Sequence, residues 1–257
     1  MPSAHRTPEW PARWHVRCFD ELDSTNGWLL EQARAGAPVG TVVVADHQRA
    51  GRGRLGRRWE APPGTSLLVS VLVRSSLAPE RLHLVTMAAA LALAEALEHV
   101  AGFRPGLKWP NDLVVGDRKL AGLLAESDAV GPEGDRAVVV GAGCNVEWAV
   151  FPTELAESAT AANIEAGRSV DRRELLDAYL DALGRRLDAL EAVPADYRAG
   201  LTTLGRRVRV EQATGWLVGV AADLRDDGAL LVRTDDGALH AVTAGDVIHL
   251  RPDPPPP

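Results

Sequence analysis

The sequence predicts an α+β domain followed by a small all-β module, and three observations carry that reading. Short apolar runs such as Thr41–Ala45 and Ser66–Val73 are interleaved with stretches of helical spacing. A long alanine- and leucine-rich stretch after them suits a central buried helix. Beyond about Gly205 the pattern changes to short β-type runs punctuated by Asp227-Gly228 and Asp236-Gly237 turns.

Taken in order, residues 1–15 carry three prolines without periodicity and read as an arm. The polar cluster Asp23-Ser24-Thr25-Asn26 precedes Trp28, Leu29, Leu30 and Ala33, then Gly36 and Pro38, which predicts a helix capped at Ser24-Thr25. Strands at 41–45 and 66–73 flank a loop, Gly51 to Trp59. Pro79 and Glu80 open the central helix, which runs to about Val100. Leu113 to Glu126 reads as a hairpin turning at Gly116 and Asp117, and Ala137–Val140 as a further buried strand. Asp171 with Glu174 forms a capping box before Leu175, Leu176, Tyr179, Leu180, Leu183, Leu187 and Leu190 at helical spacing. Val208 and Val210, Trp216–Val220, Leu230–Val232 and His240–Val242 supply four or five short strands for a small barrel or sandwich. The expected division is an arm over 1–15, a first domain over 16–204, a second over 205–251 and a disordered proline tail over 252–257.

Composition removes several functional classes. The 257 residues are 46% hydrophobic and 25% charged, as in ordinary folded proteins, and the net charge of -7 works against general DNA binding. The most apolar stretch, Leu84 to Ala94, lies between His83 and Glu95 and falls short of the roughly 18 residues of a membrane span. The N-terminus has no apolar signal region, so a cytoplasmic protein is expected. Two cysteines, Cys18 and Cys144, give neither a disulfide framework nor a zinc spacing, and the seven histidines include no His-Glu-x-x-His pair.

The chemistry concentrates in a few segments. In Gly51-Arg52-Gly53-Arg54-Leu55-Gly56-Arg57-Arg58-Trp59, glycines allow close backbone approach, four arginines offer forked donors for phosphate or carboxylate, and Trp59 offers a stacking face. Such a loop suits a small anionic, ring-bearing ligand; a solvated basic turn or a nucleic-acid contact is the alternative. Lys108-Trp109-Pro110-Asn111-Asp112 places a cation, an amide and a potential magnesium carboxylate together, although Asn-Asp after proline is by itself more often a turn. Lys119, followed by Gly122, reads in isolation as a charge that protects an edge strand. Gly141-Ala142-Gly143-Cys144-Asn145 puts small residues at a strand end but lacks the third glycine and following helix of a dinucleotide fingerprint. Together these segments describe a site that activates a carboxylate with a nucleotide.

Asp23-Ser-Thr-Asn26, Gln48 with Gly51–Trp59, Lys108–Asp112, Lys119-Leu-Ala-Gly122 and Gly141–Asn145 resemble, in order, the motifs of biotin protein ligases, over about residues 16–146. The resemblance implies a class II synthetase-like catalytic domain with a central mixed sheet and helices on one side, and an SH3-like C-terminal barrel. The implied activity is ATP-dependent formation of biotinyl-5'-AMP and transfer of biotin to a lysine of a biotin carboxyl carrier domain, with magnesium accompanying ATP. It further implies that Ser24, Thr25, Asn26, Gln48, Gly51, Arg52, Gly53, Arg54, Lys119, Gly122 and Gly143 hold biotin. Arg54, Arg57, Trp59, Asn111 and Asn145 would bind the nucleotide, Lys119, Arg52, Arg54, Lys108 and Asp112 would serve catalysis, and Asp112 would reach the metal. A lipoate- or octanoate-transferring relative on the same fold is the nearest alternative. Leu55 departs from the polar or basic residue usual at its position. The roughly 22 residues before Asp23 are too few for the winged helix of regulatory members, so no specific DNA partner is expected. The remaining partner expectations are a carboxylase carrier domain, no membrane, and a monomer or weak homodimer.

Overall fold

The computed structural model describes residues 10–75, 81–130, 136–212, 215–243 and 246–249. Seven strands form the main sheet: β1 (His15–Leu22), β2 (Thr41–Gln48), β3 (Ser66–Ser75), β4 (Gly106–Lys108), β5 (Asp112–Val115), β6 (Arg118–Val130) and β7 (Arg136–Asn145). Their order is β1-β2-β3-β7-β6-β5-β4, with β1 parallel to β2 and every other pair antiparallel, so the sheet is mixed as expected.

The two faces of this sheet are separated by the period of two along each strand. On β3, Leu67, Val69 and Val71 join one large core with α2 (His83–Ala101), whereas Leu72 joins Leu29, Leu30 and Ala33 of α1 (Thr25–Arg34) in a second cluster. Helices therefore cover both faces, which corrects the expected single helical layer: α1 follows β1 and crosses one face, while α2 and α4 (Arg172–Asp188) pack on the other. Ser24 caps α1 by accepting from the Gly27 amide at 3.3 Å, and Asp171 caps α4 by accepting from Arg173 and Glu174. The expected start of the central helix at Pro79-Glu80 lies outside the described residues. Helix α2 is 19 residues long and, by length and composition alone, apolar enough to cross a membrane, which the count of 84–94 did not anticipate. Most of its apolar surface is buried in the core, as a central helix requires.

Two short helices, α3 (Ala162–Ala166) and α5 (Val193–Ala199), lead to a second antiparallel sheet of β8 (Arg207–Gln212), β9 (Gly215–Leu224), β10 (Leu230–Arg233), β11 (Leu239–Val242) and β12 (Asp246–His249). Its order is β11-β10-β9-β8-β12, and no β11–β12 pair closes it among the described residues, so the expected barrel is here an open sheet. Its inward residues Val208, Val210, Leu230, Val232 and Val247 belong to the same buried cluster as α2 and Leu107. Backbone bonds reinforce the junction, from Leu107 N–H to the Gly200 carbonyl at 3.0 Å and from Thr202 N–H to the Leu107 carbonyl at 2.8 Å.

Candidate active site

A cavity of about 360 Å³ opens where the N-terminus of α1, the 51–59 loop, β4 to β7 and the end of β12 meet. At one end, capping turns Thr25 and Asn26 inward, where both are buried. The Thr25 amide and hydroxyl donate to Gln48 Oε1 at 2.7 and 2.9 Å. The Ser70 hydroxyl lies 2.6 Å from Asn26 Oδ1 and 2.8 Å from Thr25 Oγ1. Asn26 Nδ2 donates to the Leu124 carbonyl at 3.1 Å and to Glu126 Oε2 at 2.8 Å. Gly141 is needed beside this network, because a Cβ there would lie 2.2 Å from Asn26 Oδ1.

The arginine loop folds back on itself. Trp59 N–H donates to the Gly51 carbonyl at 3.1 Å, Gly53 N–H to the Arg57 carbonyl at 2.7 Å, and a bridge joins Arg52 to Arg58. A 3-10 turn at Arg54–Gly56 sets Leu55 at φ 55, a left-handed conformation costing about 1 kcal/mol for a residue with a Cβ. Two of the arginines engage the interior: Arg52 Nη1 donates to Glu126 Oε1 at 3.0 Å and Arg54 Nη1 to Asn111 Oδ1 at 3.3 Å. Trp59 lies flat against Gly143, where a Cβ would sit 2.7 Å from Cε2 of its ring.

The third wall carries the lysines. The β4–β5 ladder pairs Lys108 with Asp112, and Lys119 Nζ is 2.7 Å from Asp112 Oδ1 and 5.7 Å from the Trp59 ring centroid. Burial holds the Lys108 ammonium below its usual range, against the pull of Asp112, and Lys119 adds to the lowering. Lys119 stands on β6, an interior strand, so it is not an edge charge. Asn111 turns its amide onto the Leu123 carbonyl. The intervening Trp109–Pro110 peptide is cis. Trp109 donates its backbone N–H to Thr203 Oγ1 at 3.1 Å and its indole N–H to the Gly228 carbonyl at 3.0 Å.

All but two of the residues singled out in the sequence line this cavity: Ser24, Thr25, Asn26, Gln48, Arg52, Gly53, Arg54, Arg57, Trp59, Lys108, Asn111, Asp112, Lys119, Gly122 and Gly143. Gly51 lies behind the loop, facing the Trp59 carbonyl, and lines an adjoining hollow. Asn145 is buried away from the cavity, where it donates to the Thr160 carbonyl at 3.0 Å and faces the Ser66 hydroxyl at 3.5 Å. Sequence reasoning missed Ser70 and Glu126, which brace the cap and Arg52, and Glu211, Val247 and Ile248, which reach the cavity from the second sheet. No group of three or more His, Cys, Asp or Glu side chains is placed to hold a metal among the described residues. Asp112 is a single carboxylate on the cavity wall, a donor suited to magnesium whose other ligands are phosphates and water.

The model of the Biotin/lipoate A/B protein ligase family matches residues 18–145, and that of the Biotin protein ligase C terminal domain matches residues 203–250. Over 241 residues the chain is 39% identical to the biotin--[acetyl-CoA-carboxylase] ligase of Mycobacterium tuberculosis, covering 90% of this chain and 87% of that one. This chain belongs to the biotin protein ligase family. The Paracoccus denitrificans biotin--[acetyl-CoA-carboxylase] ligase is 36% identical over 227 residues, 84% of this chain and 92% of its own. Among solved structures, the biotin protein ligase from Aquifex aeolicus in complex with biotin and ATP superposes with a TM-score of 0.77 at 28% identity, over 92% of this chain and 99% of that one. Membership accounts for the order of the motifs along the ligase sequence and for the second sheet after them.

Proposed function

We propose that this ligase activates biotin as biotinyl-5'-AMP in the cavity described above and passes the biotinyl group to a lysine of a carboxylase carrier domain. The observation that carries the reading is the convergence of Arg52, Arg54 and Lys119 on one cavity whose far end is the Ser24–Gln48 polar cap. The cap offers hydroxyl and amide groups for the polar ring atoms of biotin. The cations lower the repulsion between biotin carboxylate and α-phosphate as a carboxylate oxygen attacks phosphorus and pyrophosphate departs. Lys108 would face the polyphosphate, Asp112 would help hold a magnesium ion that offsets its charge, and Trp59 with Asn111 would contact the nucleotide. The lysine amine of the carrier domain then attacks the acyl carbon and AMP leaves, so no enzyme-bound acyl group is needed. Cys144 is unsuited to carry one, since burial pushes its thiol up to about 12.

The relatives named for acetyl-CoA carboxylase support an acyl-CoA carboxylase carrier domain as the acceptor. The reading extends to a cytoplasmic monomer or weak homodimer with no specific DNA partner; unpaired Cys18 and Cys144 suit a reducing compartment. The test is ATP–pyrophosphate exchange with biotin, lipoate or octanoate as the acid. Exchange with biotin alone is expected, and exchange only with lipoate or octanoate would overturn the assignment.

A further inference from the structure

Lys119 lies just before the stretch of β6 that pairs with β7, because that ladder begins at Ala121. On that side its backbone is taken up by a different piece of chain. Lys119 N–H donates to the Ser158 carbonyl at 2.7 Å, and Thr160 N–H donates to the Lys119 carbonyl at 2.9 Å, as a short parallel bridge. The 158–160 segment is secured in turn by one carboxylate. Glu165 Oε1 accepts from Thr160 Oγ1 and also from Arg118 Nη2, the latter at 2.7 Å. Thr160 is fully buried, and the Glu165 side chain is only 13% exposed. Asn145 Nδ2 fixes the carbonyl of the same threonine. The residue before Lys119 and the residue that donates to its carbonyl are thus tied to a single oxygen atom, although Glu165 does not line the cavity.

We infer that Glu165 is a positioning residue for the ligase reaction, holding the Lys119 backbone in the register that delivers Nζ to Asp112 and the cavity. The inference rests on the proposed role of Lys119 in adenylation. An exposed ion pair such as Arg173–Asp177 contributes little. Glu165 differs because losing it leaves the buried Thr160 hydroxyl without its partner and releases the segment that completes the strand at Lys119.

The experiment compares Glu165→Ala, Glu165→Gln and Arg118→Met, each alone, and Glu165→Ala combined with Lys119→Ala. Biotin-dependent exchange by Glu165→Ala is expected to fall about tenfold in kcat, the scale of a small misplacement of a reacting group, with KM for biotin and ATP changed less than about twofold. Glu165→Gln, whose carbonyl still accepts both protons, is expected to keep most of the rate, and Arg118→Met to lose part of it. In the Lys119→Ala background, removing Glu165 is expected to cost nothing further, since both changes act on one group. An equal proportional loss in both backgrounds, or no loss in either, would overturn the inference. Amide hydrogen exchange gives a second readout independent of substrate: the Lys119 and Thr160 amides are expected to exchange faster in Glu165→Ala. Unchanged protection would overturn the brace even if the wild type proved to use another acid, and failure of the wild type with biotin would count only against the assigned substrate.

Discussion

The indole N–H of Trp109 donates to the carbonyl oxygen of Gly228 at 3.0 Å, fastening a cavity wall to the second sheet across 119 positions of sequence. The Trp109 backbone is tied to the same region through Thr203. Trp109→Phe removes the indole bond while keeping an aromatic ring, and is expected to destabilise the protein by about 1–3 kcal/mol from the lost hydrogen bond and the volume removed. Urea denaturation of the two proteins measures this directly. Removing residues 203–257 is expected to abolish the cooperative thermal transition, since Val208, Val210 and Leu230 complete the core around Leu107 and α2. A sharp melt of the truncated chain would show that the first sheet stands alone.

Lys119→Ala is expected to lower biotin-dependent pyrophosphate exchange by about 10²-fold or more, the scale of removing one transition-state charge contact. The side chain is 41% exposed, so the melting temperature should hardly move. Near-normal exchange would leave Lys119 as a partner of Asp112 and nothing more.

Acid sensitivity is expected from His249. Its Nδ1 lies 2.6 Å from Arg206 Nη1 and its Nε2 3.2 Å from Thr203 Oγ1, so the neutral ring donates from Nε2. Burial, with Lys108 and Arg206 nearby, lowers its pKa from 6.5 to about 4, while Asp117 pulls the other way. Between those values the unfolded chain binds a proton that the folded chain refuses, so stability falls as pH drops from about 6.5 to 4 and is unaffected above. His249→Gln is expected to flatten that limb of a stability–pH curve; an unchanged slope would show that the imidazole is not its source.

Arg54→Gly removes the bond to Asn111 and adds chain freedom beside a turn that already holds Leu55 at positive φ. The expected outcome is faster tryptic cleavage at Arg57 and Arg58, and escape of biotinyl-AMP that labels bystander lysines. Labelling of an unrelated protein, compared with wild type, checks it; equal labelling would place adenylate retention elsewhere.

Much of the site was legible because its parts are local. Ser24 is read as a cap from its own neighbours, and the arginine loop from its glycines, whatever the rest of the chain does. What was not legible depends on distant pairing. Glu126 earns its place only because β6 runs back under Asn26 and Arg52, and Ile248 only because β12 pairs with β8 beside the cavity. Asn145 lies outside the cavity lining for a related reason. Its motif marks a strand end, but the burial of that end beneath Thr160 is set by a segment 15 residues later. Helix α1 was recognised, yet its choice of sheet face follows from the parallel β1–β2 crossover, which no local pattern reveals.

Because Val247 and Ile248 line the same cavity as Ser24, translation must pass residue 248 before the last wall of the site exists. A nascent chain that has made the arginine loop and both lysines still lacks that wall. On the ribosome, where synthesis proceeds from the N-terminus, the cavity is therefore enclosed only after the second sheet has emerged.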